Sequence, residues 1–237
     1  MGNKKYFTLS FDDGVEHDKR LIELMKQYGL QGTFNLNAGL MGTRQKRVNI
    51  SRIPKDEIRQ VYNGFEIASH GYRHEIYTVL PKARVEQSIT DDLQELSEIA
   101  GYPIAGHAYP FDAHTGAAEN CLRSKGILYG RRATGKGSFC FPKNPYNYVP
   151  TCWFNAKNVL QLLDEFLQAE PVQGDMLFMM WGHAYEMEYG FRPCSESRLE
   201  SIFSKIAGHE GIVYCTNKEA FRQQLTKTPG HGQRSIG

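Results

Sequence analysis

Two adjacent carboxylates, Asp12 and Asp13, close a run in which Tyr6, Thr8 and Ser10 alternate with Phe7, Leu9 and Phe11, and Gly14 follows them. The alternation, with its aromatic and β-branched residues, marks a buried strand. Paired acids at a strand end are costly unless something cationic receives them. At a strand-to-loop corner the two side chains diverge, so one is able to bind a metal while its neighbour stays free as a base. On these residues alone, either acid serves equally as the cap of the helix that Val15 begins, with Gly14 relaxing the turn. A second group is His70-Gly71-Tyr72-Arg73-His74. Histidines at this spacing close on one cation from a helical face or from a strand end running into a tight turn. By itself the pair reads as two unrelated histidines on a polar turn; joined to Asp13, it reads as a His-His-carboxylate metal site with positions open to water. A structural zinc site normally takes four protein ligands, often thiolates, and no cysteine is placed to help.

The elements that must position these groups alternate between strand and helix. Helical spacing runs from Asp18 to Tyr28 and stops at Gly29, and a second strand is expected over Gly32–Asn37. The segment from Met41 to Ile53 carries Arg44, Lys46, Arg47 and Arg52; it reads as a solvated loop, with a substrate-facing basic loop as the alternative. Pro54 opens a helix to Tyr62, and Phe65–Ser69 forms a strand ending on His70. A long helix over Lys82–Ala100 carries the core stripe Val85, Ile89, Leu93, Leu96 and Ile99. Further strands are expected at Gly106–Phe111, Ile127–Tyr129, Met176–Trp181 and Gly211–Cys215, and helices at Thr115–Lys125, Asn155–Ala169, Ser195–Ala207 and Lys218–Leu225. Gly135–Pro150 reads as a long ordered loop.

Such alternation implies parallel pairing with right-handed crossovers, in an open doubly wound sheet or a barrel. Asp12, Asp13, His70, Phe111 and His183 all fall at strand C-terminal ends, which is where a (β/α) barrel builds its site. No Gly-x-Gly-x-x-Gly or Walker sequence is present, so nucleotide chemistry has little support.

Composition narrows the function classes. The 237 residues are 41% hydrophobic and 23% charged, which suits one large α/β domain, expected over residues 1–225 with a disordered polar tail over 226–237. A net charge of +2 from nearly balanced acids and bases leaves no footprint for nucleic acid. No stretch approaches a membrane-spanning length. The start of the chain enters the first strand without an apolar leader run, and the five cysteines, Cys121, Cys140, Cys152, Cys194 and Cys215, lack any Cys-x-x-Cys pairing. Both features point to reduced thiols and a cytoplasmic setting.

Ser10-Phe11-Asp12-Asp13-Gly14 and Ser69-His70-Gly71-Tyr72-Arg73-His74 resemble the first two motifs of the NodB-homology polysaccharide deacetylases, carbohydrate esterase family four, in order and separation. The resemblance runs from Tyr6 to about Leu225 and implies an irregular (β/α) barrel of about seven strands. It implies that Asp12 is the general base and that Asp13, His70 and His74 bind a divalent metal, zinc foremost, with cobalt or nickel as alternatives. Trp181-Gly182-His183 resembles the fifth motif and places the catalytic acid on His183. Ala108-Tyr109-Pro110-Phe111 stands where the third motif has Arg-x-Pro-Tyr, so the arginine that pairs with the base is replaced by Ala108. Arg131 is the foremost candidate to supply that cation, ahead of Arg132 and Arg73, and Glu186 is a candidate to steer His183. The fourth motif, an acidic residue near a tryptophan, has no clear counterpart, although Trp153 offers an aromatic wall.

The implied activity is metal-dependent removal of N-acetyl, or O-acetyl, groups from an amino-sugar-containing polysaccharide or oligosaccharide. Tyr109, Phe111 and Trp181 are then expected to line the substrate groove, with core packing as the other reading of each. Two alternatives stand beside this one: a hydrolase of another C–N bond, in a formamide or cyclic amide, on the same scaffold, and a glycan-binding pseudoenzyme.

Overall fold

The alternating run at the start of the chain becomes β1 (Lys5–Asp12), buried on both faces beyond Lys5. The computed structural model describes residues 2–45, 50–189 and 194–227. After β1 come α1 (Asp18–Gln27), β2 (Gly32–Leu36), β3 (Arg44–Gln45), β4 (Ile50–Ser51), α2 (Ile58–Val61), β5 (Glu66–Ser69), α3 (Lys82–Ala100) and β6 (Gly106–Ala108). The chain continues through α4 (Gly116–Ser124), β7 (Tyr129–Arg131), β8 (Cys152–Trp153), α5 (Val159–Gln168), β9 (Met176–His183), α6 (Glu196–Ile206), β10 (Ile212–Tyr214) and α7 (Asn217–Lys227).

Seven strands pair in the order β7-β6-β5-β2-β1-β9-β8, and β10 joins β1 off this path. Every ladder in this sheet is parallel, and the sheet curls into a half-barrel with helices outside it. The irregular barrel expected from the sequence is therefore what the chain forms. β1 is the hub because its length serves three neighbours: residues 5–7 pair with β10, residues 9–12 with β2, and the whole strand with β9. The short antiparallel hairpin β3–β4 stands apart. Lys46 and Arg47 lie outside the described residues.

The main core fills the space between sheet and helices, where Leu21, Leu24 and Met25 of α1 and Val85, Ile89, Leu93 and Leu96 of α3 are buried. The opposite face of β1 lines the barrel interior and is polar. Thr8 Oγ1 donates to Asn217 Oδ1 at 2.8 Å, Asn217 Nδ2 to Ser10 Oγ at 3.2 Å, and Asn35 Nδ2 to the same Ser10 oxygen at 3.0 Å. Buried polar groups are tolerated when each finds a partner, and here the start of α7 supplies them from below.

Several boundaries differ from the sequence reading, and hydrogen bonding explains them. β7 starts at Tyr129 rather than Ile127, because Ile127 N–H still closes the end of α4 by donating to the Leu122 carbonyl at 3.1 Å. Arg131 is therefore a strand residue. β6 ends at Ala108, and Pro110–Asp112 turns tightly instead of extending the strand. β9 runs on to include His183. α5 starts only at Val159, since Ala156 N–H and Val159 N–H are used in turns to Trp153 and Ala156. Thr226 and Lys227 belong to α7, and the rest of the expected tail, residues 228–237, lies outside the described residues. All five cysteines are free, four of them buried and Cys140 exposed. Among the described residues, no helix is long and apolar enough to cross a membrane.

Gly182 marks the tightest crossing behind the site, because a Cβ there would sit 2.0 Å from the ring of the fully buried Phe154. Gly182→Ala is expected to cost about 1–3 kcal/mol through overpacking. Urea denaturation measures this directly, and an unchanged midpoint would show that Phe154 relaxes freely.

Candidate active site

Strand register brings the chemistry together. Asp12, the last residue of β1, is paired with Asn35 on β2 and with His183 on β9, and neighbouring strands lie about 4.8 Å apart. On the other side of the barrel, Arg131 of β7 is in register with Ala108 of β6. The cation missing at Ala108 thus enters from the adjacent strand at the same level.

Arg131 is fully buried and its Nη2 donates to Asp12 Oδ1. Asn35 Nδ2 donates to the same oxygen at 2.8 Å. Burial by itself raises the Asp12 carboxyl, but Arg131, then His70 and His183, outweigh it and bring its pKa down to about 2. Asp12 is ionised, held by a guanidinium on one oxygen and 3.9 Å from His70 Nε2 on the other. Arg132 does not compete for this role: it grips Asp112 through Nε at 2.6 Å and Nη2 at 2.7 Å, securing the turn that carries Phe111. Arg73 is exposed on the far side of His74.

Asp13 follows the strand with φ of 83°. It does not cap α1. The N-cap residue of α1, His17, makes no side-chain capping bond, and Asp18 at the start of the helix reaches back, its Oδ2 accepting from Val15 N–H at 3.1 Å and from the Tyr62 hydroxyl at 2.6 Å. Ligand atoms of Asp13, His70 and His74 all lie within 4.8 Å of one another, with His74 Nε2 3.6 Å from Asp13 Oδ1. His70 Nδ1 is 2.9 Å from the Ala108 carbonyl; since a carbonyl only accepts, the proton is on Nδ1 and Nε2 keeps its lone pair for the site. Burial lowers the pKa of His70, and burial followed by repulsion from His70 brings His74 down to about 4, so both rings are neutral. Asp13 Oδ1 is buried without a hydrogen-bond partner. A buried carboxylate oxygen with no donor and two neutral imidazoles facing it is a donor set that fits a divalent cation.

His183 forms the third wall. Its Nδ1 lies 3.1 Å from Glu186 Oε1, and Glu186 is itself fixed by the Trp153 indole N–H at 2.8 Å and the His183 backbone N–H at 3.3 Å. Burial pulls the His183 pKa down, but the bond to Glu186 and the charges of Asp13 and Asp12 lift it to about 9. A proton-carrying imidazole with an acidic orienter is what a general acid requires. Trp153, read from the sequence as offering an aromatic wall, anchors that orienter through its indole N–H.

Among the residues expected to line the groove, Phe111 is 61% exposed, 4.4 Å ring to ring from His74. Trp181 is half-buried and lies 5.3 Å from the Arg131 guanidinium, which it covers. The expectation for Tyr109 is corrected. Tyr109 is fully buried, its hydroxyl donates to the Tyr146 carbonyl at 2.6 Å, and its ring packs on His107 and His114, so it anchors the loop after β7 and does not face a substrate.

Three supporting residues, Asn35, Asn37 and Asp92, were missed from the sequence, and a fourth, Arg52, was read only as part of a basic loop. Asn35 holds Asp12. Asn37 Nδ2 donates to the His70 and Gly71 carbonyls at 2.6 and 2.7 Å. Asp92, pushed up to about 7 by burial, accepts from Ser69 Oγ at 2.6 Å, Ala38 N–H at 2.7 Å and His70 N–H at 3.1 Å. Arg52, 7% exposed, places Nη2 3.7 Å from Asp13 Oδ1. The available signal was polarity at positions whose strand or helix pattern calls for apolar residues: Asn35 inside β2 and Asp92 on the buried side of α3. Strain marks the same place. The positive-φ non-glycine residues among those described are Asp13, His74, Phe111 and Asp112, a conformation retained where surrounding contacts over-determine it.

Comparison with known proteins agrees with this geometry. Solved structures with the same fold include Puue allantoinase (TM-score 0.68, 15% identity, covering 95% of this chain and 91% of that one). They also include the Xyl-CE4 domain of a multidomain xylanase from the hindgut metagenome of Trinervitermes trinervoides (0.57, 18%, 94% and 92%). A third is a family 4 carbohydrate esterase from Streptomyces lividans in complex with acetate (0.54, 16%, 87% and 90%). At these identities the likeness speaks to the fold. A search of curated proteins returns no match. The model of the polysaccharide deacetylase family matches residues 1–130, from β1 through the metal-ligand candidates to the middle of β7. The chain belongs to the polysaccharide deacetylase family.

Proposed function

We propose that this protein is a metal-dependent hydrolase that removes N-acetyl groups from an amino-sugar-containing glycan. The observation that carries the reading is the meeting, at one barrel mouth, of an ionised Asp12 held by Arg131, a protonated His183 held by Glu186, and the Asp13-His70-His74 donor set between them. When bound there, a divalent cation, zinc by its preference for imidazole and carboxylate, supplies Lewis-acid polarisation of the acyl carbonyl and of water.

Asp12 takes a proton from the attacking water, and its free oxygen faces the donor set while Arg131 and Asn35 hold the other. Arg131 keeps the carboxylate ionised and oriented, so the base is ready without a proton to lose first. As the carbonyl carbon becomes tetrahedral, negative charge collects on its oxygen. The Phe111 N–H is available to receive it, since among the described residues that group donates no hydrogen bond. His183 then passes a proton from Nε2 to the leaving nitrogen, with Glu186 on Nδ1 fixing the ring. Retention of both the base and the acid in held, correctly charged states argues against a binding-only pseudoenzyme. Hydrolysis of another C–N bond on the same scaffold differs in substrate and not in machinery. Acetate release from N-acetylated amino-sugar oligomers, run beside formamides and cyclic amides, separates the two; turnover confined to the latter would overturn the deacetylase reading.

Elemental analysis is expected to find one divalent ion per chain, lost in Asp13→Ala and His74→Ala. Full occupancy in both variants would move the metal elsewhere. Asp12→Asn should lower turnover by roughly 10²–10⁴-fold with metal content kept. Arg131→Ala should lower turnover as well and also destabilise the fold by about 3–5 kcal/mol, because it strands a buried carboxylate; a fully stable Arg131→Ala protein would contradict the buried pair.

The Glu186 contact sets the pH dependence of the acid. His183 must be protonated to act, and the Glu186 contact lifts its pKa, so activity falls as pH rises through that pKa. Removing the carboxylate lowers that pKa, so Glu186→Gln should move the alkaline limb of the kcat profile to lower pH. A limb that stays in place would assign it to another group.

A further inference from the structure

A groove of about 400 Å³ opens beside the metal-ligand candidates on the His74 side, bounded by Arg44, Arg52, Arg73, His74 and the exposed Phe111 ring. Nothing in the deacetylation chemistry calls for arginines there, since a neutral N-acetylated sugar presents only hydroxyls and amides. The Arg52 side chain is 7% exposed, yet its Nε is buried with no hydrogen-bond partner, and its Nη2 stands 3.7 Å from Asp13 Oδ1, beyond hydrogen-bond reach. Asp13 is also the carboxylate available to the candidate cation, so Arg52 shares its nearest counter-ion. A buried guanidinium with an incomplete set of acceptors is costly.

The position of Arg52 is built and not incidental. Its N–H donates to the Thr43 carbonyl at 2.9 Å, Ile53 N–H donates to the Gly14 carbonyl at 2.9 Å, and Glu16 N–H to the Ser51 carbonyl at 2.9 Å. Val15 and Arg52 form an antiparallel bridge. The segment bearing Arg52 is thus stitched directly to the Asp12-Asp13-Gly14 corner. Across the groove, Arg73 lies over the Tyr72 ring at 5.8 Å, and among the described residues no carboxylate comes within ion-pair distance of its guanidinium. Charge adds to the geometry. Asp12 is neutralised by Arg131 and His183 by Glu186, so with Asp13 committed to a cation, the groove side of the site is left with an excess of positive charge.

We propose that this groove binds an oxyanion carried by the substrate, so that the preferred glycan is acidic, with Arg52 as the central contact, Arg44 and Arg73 at the rim and Phe111 against the sugar ring. The proposal rests on the deacetylase reading for the reaction but makes a separate claim about charge. Guanidinium groups pair with carboxylate and phosphate alike, so the source of the oxyanion is left to the test.

The test compares kcat/KM of the full-length protein for an N-acetylated hexosamine oligomer, its C6-carboxylate counterpart and its 6-phosphate counterpart. A preference of at least ~10-fold for one or both acidic forms is expected, the value of a charge-assisted contact, and Arg52→Gln should collapse that ratio toward one while Arg52→Lys keeps part of it. The ratio cancels any general loss of activity from disturbing Asp13. Calorimetric binding of the same three compounds to the Asp12→Asn protein reads the claim without turnover. Tighter binding of an acidic form with no acetate released from any compound by the wild type would support the anion groove and overturn the deacetylase reading. Equal binding and a ratio near one, with acetate released, would overturn the groove and leave the deacetylase reading standing.

Discussion

The ion pair between Asp12 and Arg131 is the constraint on which the rest of the site depends. Both groups are buried, at 1% and 0% exposure, and neither is tolerable there alone. Removing a charge from water costs several kcal/mol that only a close, well-hydrogen-bonded partner offsets. The pair forms because two parallel strands deliver their ends to the same level of the barrel, and it holds Asp12 ionised far below neutral pH. Orientation and ionisation of the base are therefore consequences of one contact. The same contact explains how the chain dispenses with an arginine at Ala108: a small side chain there leaves room for the guanidinium from the register partner on β7.

A polar interior supports that contact from beneath. Ser10 joins Asn35 to Asn217, and Asn35 joins Ser10 to Asp12, so the first residues of α7 communicate mechanically with the carboxylate some two hundred residues away in sequence. Thr33, Glu66 and Tyr129 form a second cluster lower in the barrel, with Glu66 accepting from Thr33 Oγ1 at 2.7 Å, from the Lys218 N–H at 2.7 Å and from the Tyr129 hydroxyl at 3.1 Å. Networks of this kind rigidify a site when every member is satisfied. Not every atom is satisfied: Asn35 Oδ1 and Arg131 Nε within the network, and Asp13 Oδ1 and Arg52 Nε at the mouth, are buried without a partner, and at the mouth a ligand is able to complete them.

The mouth is also where backbone strain is concentrated. Left-handed conformations at Asp13, His74, Phe111 and Asp112 turn side chains out of the strand direction and toward a common focus. Each such residue costs of order 1–3 kcal/mol, which the surrounding hydrogen bonds from Asn37, Asp92 and Arg132 offset. Stability is spent at the mouth so that three ligands and two proton-transfer groups converge. Trp153 and Glu186 do the same for His183 without strain, through a short turn in which the acid lies three residues beyond the histidine it orients.

The sequence by itself determined most of the strand-and-helix order, the short strands β3, β4 and β8 excepted, and singled out Asp12, Asp13, His70, His74 and His183, because apolar periodicity and local motifs are properties of neighbouring residues. Arg131 was reachable from the sequence as the foremost of three arginines, but its contact with Asp12 follows only from the register of β6 against β7. Tyr109 was misread because its motif neighbours line the groove while its own side chain turns into the loop, a direction no spacing encodes. Asn35 and Asp92 were invisible as site residues for the same reason: each lies on a different element from the group it holds, at sequence separations of 23 and 22 residues. Types and spacings along the chain specify what chemistry is available. Which charges meet, which rings face the groove and which buried atoms are left wanting a partner follow from parallel register and burial, and those exist only once the sheet has curled.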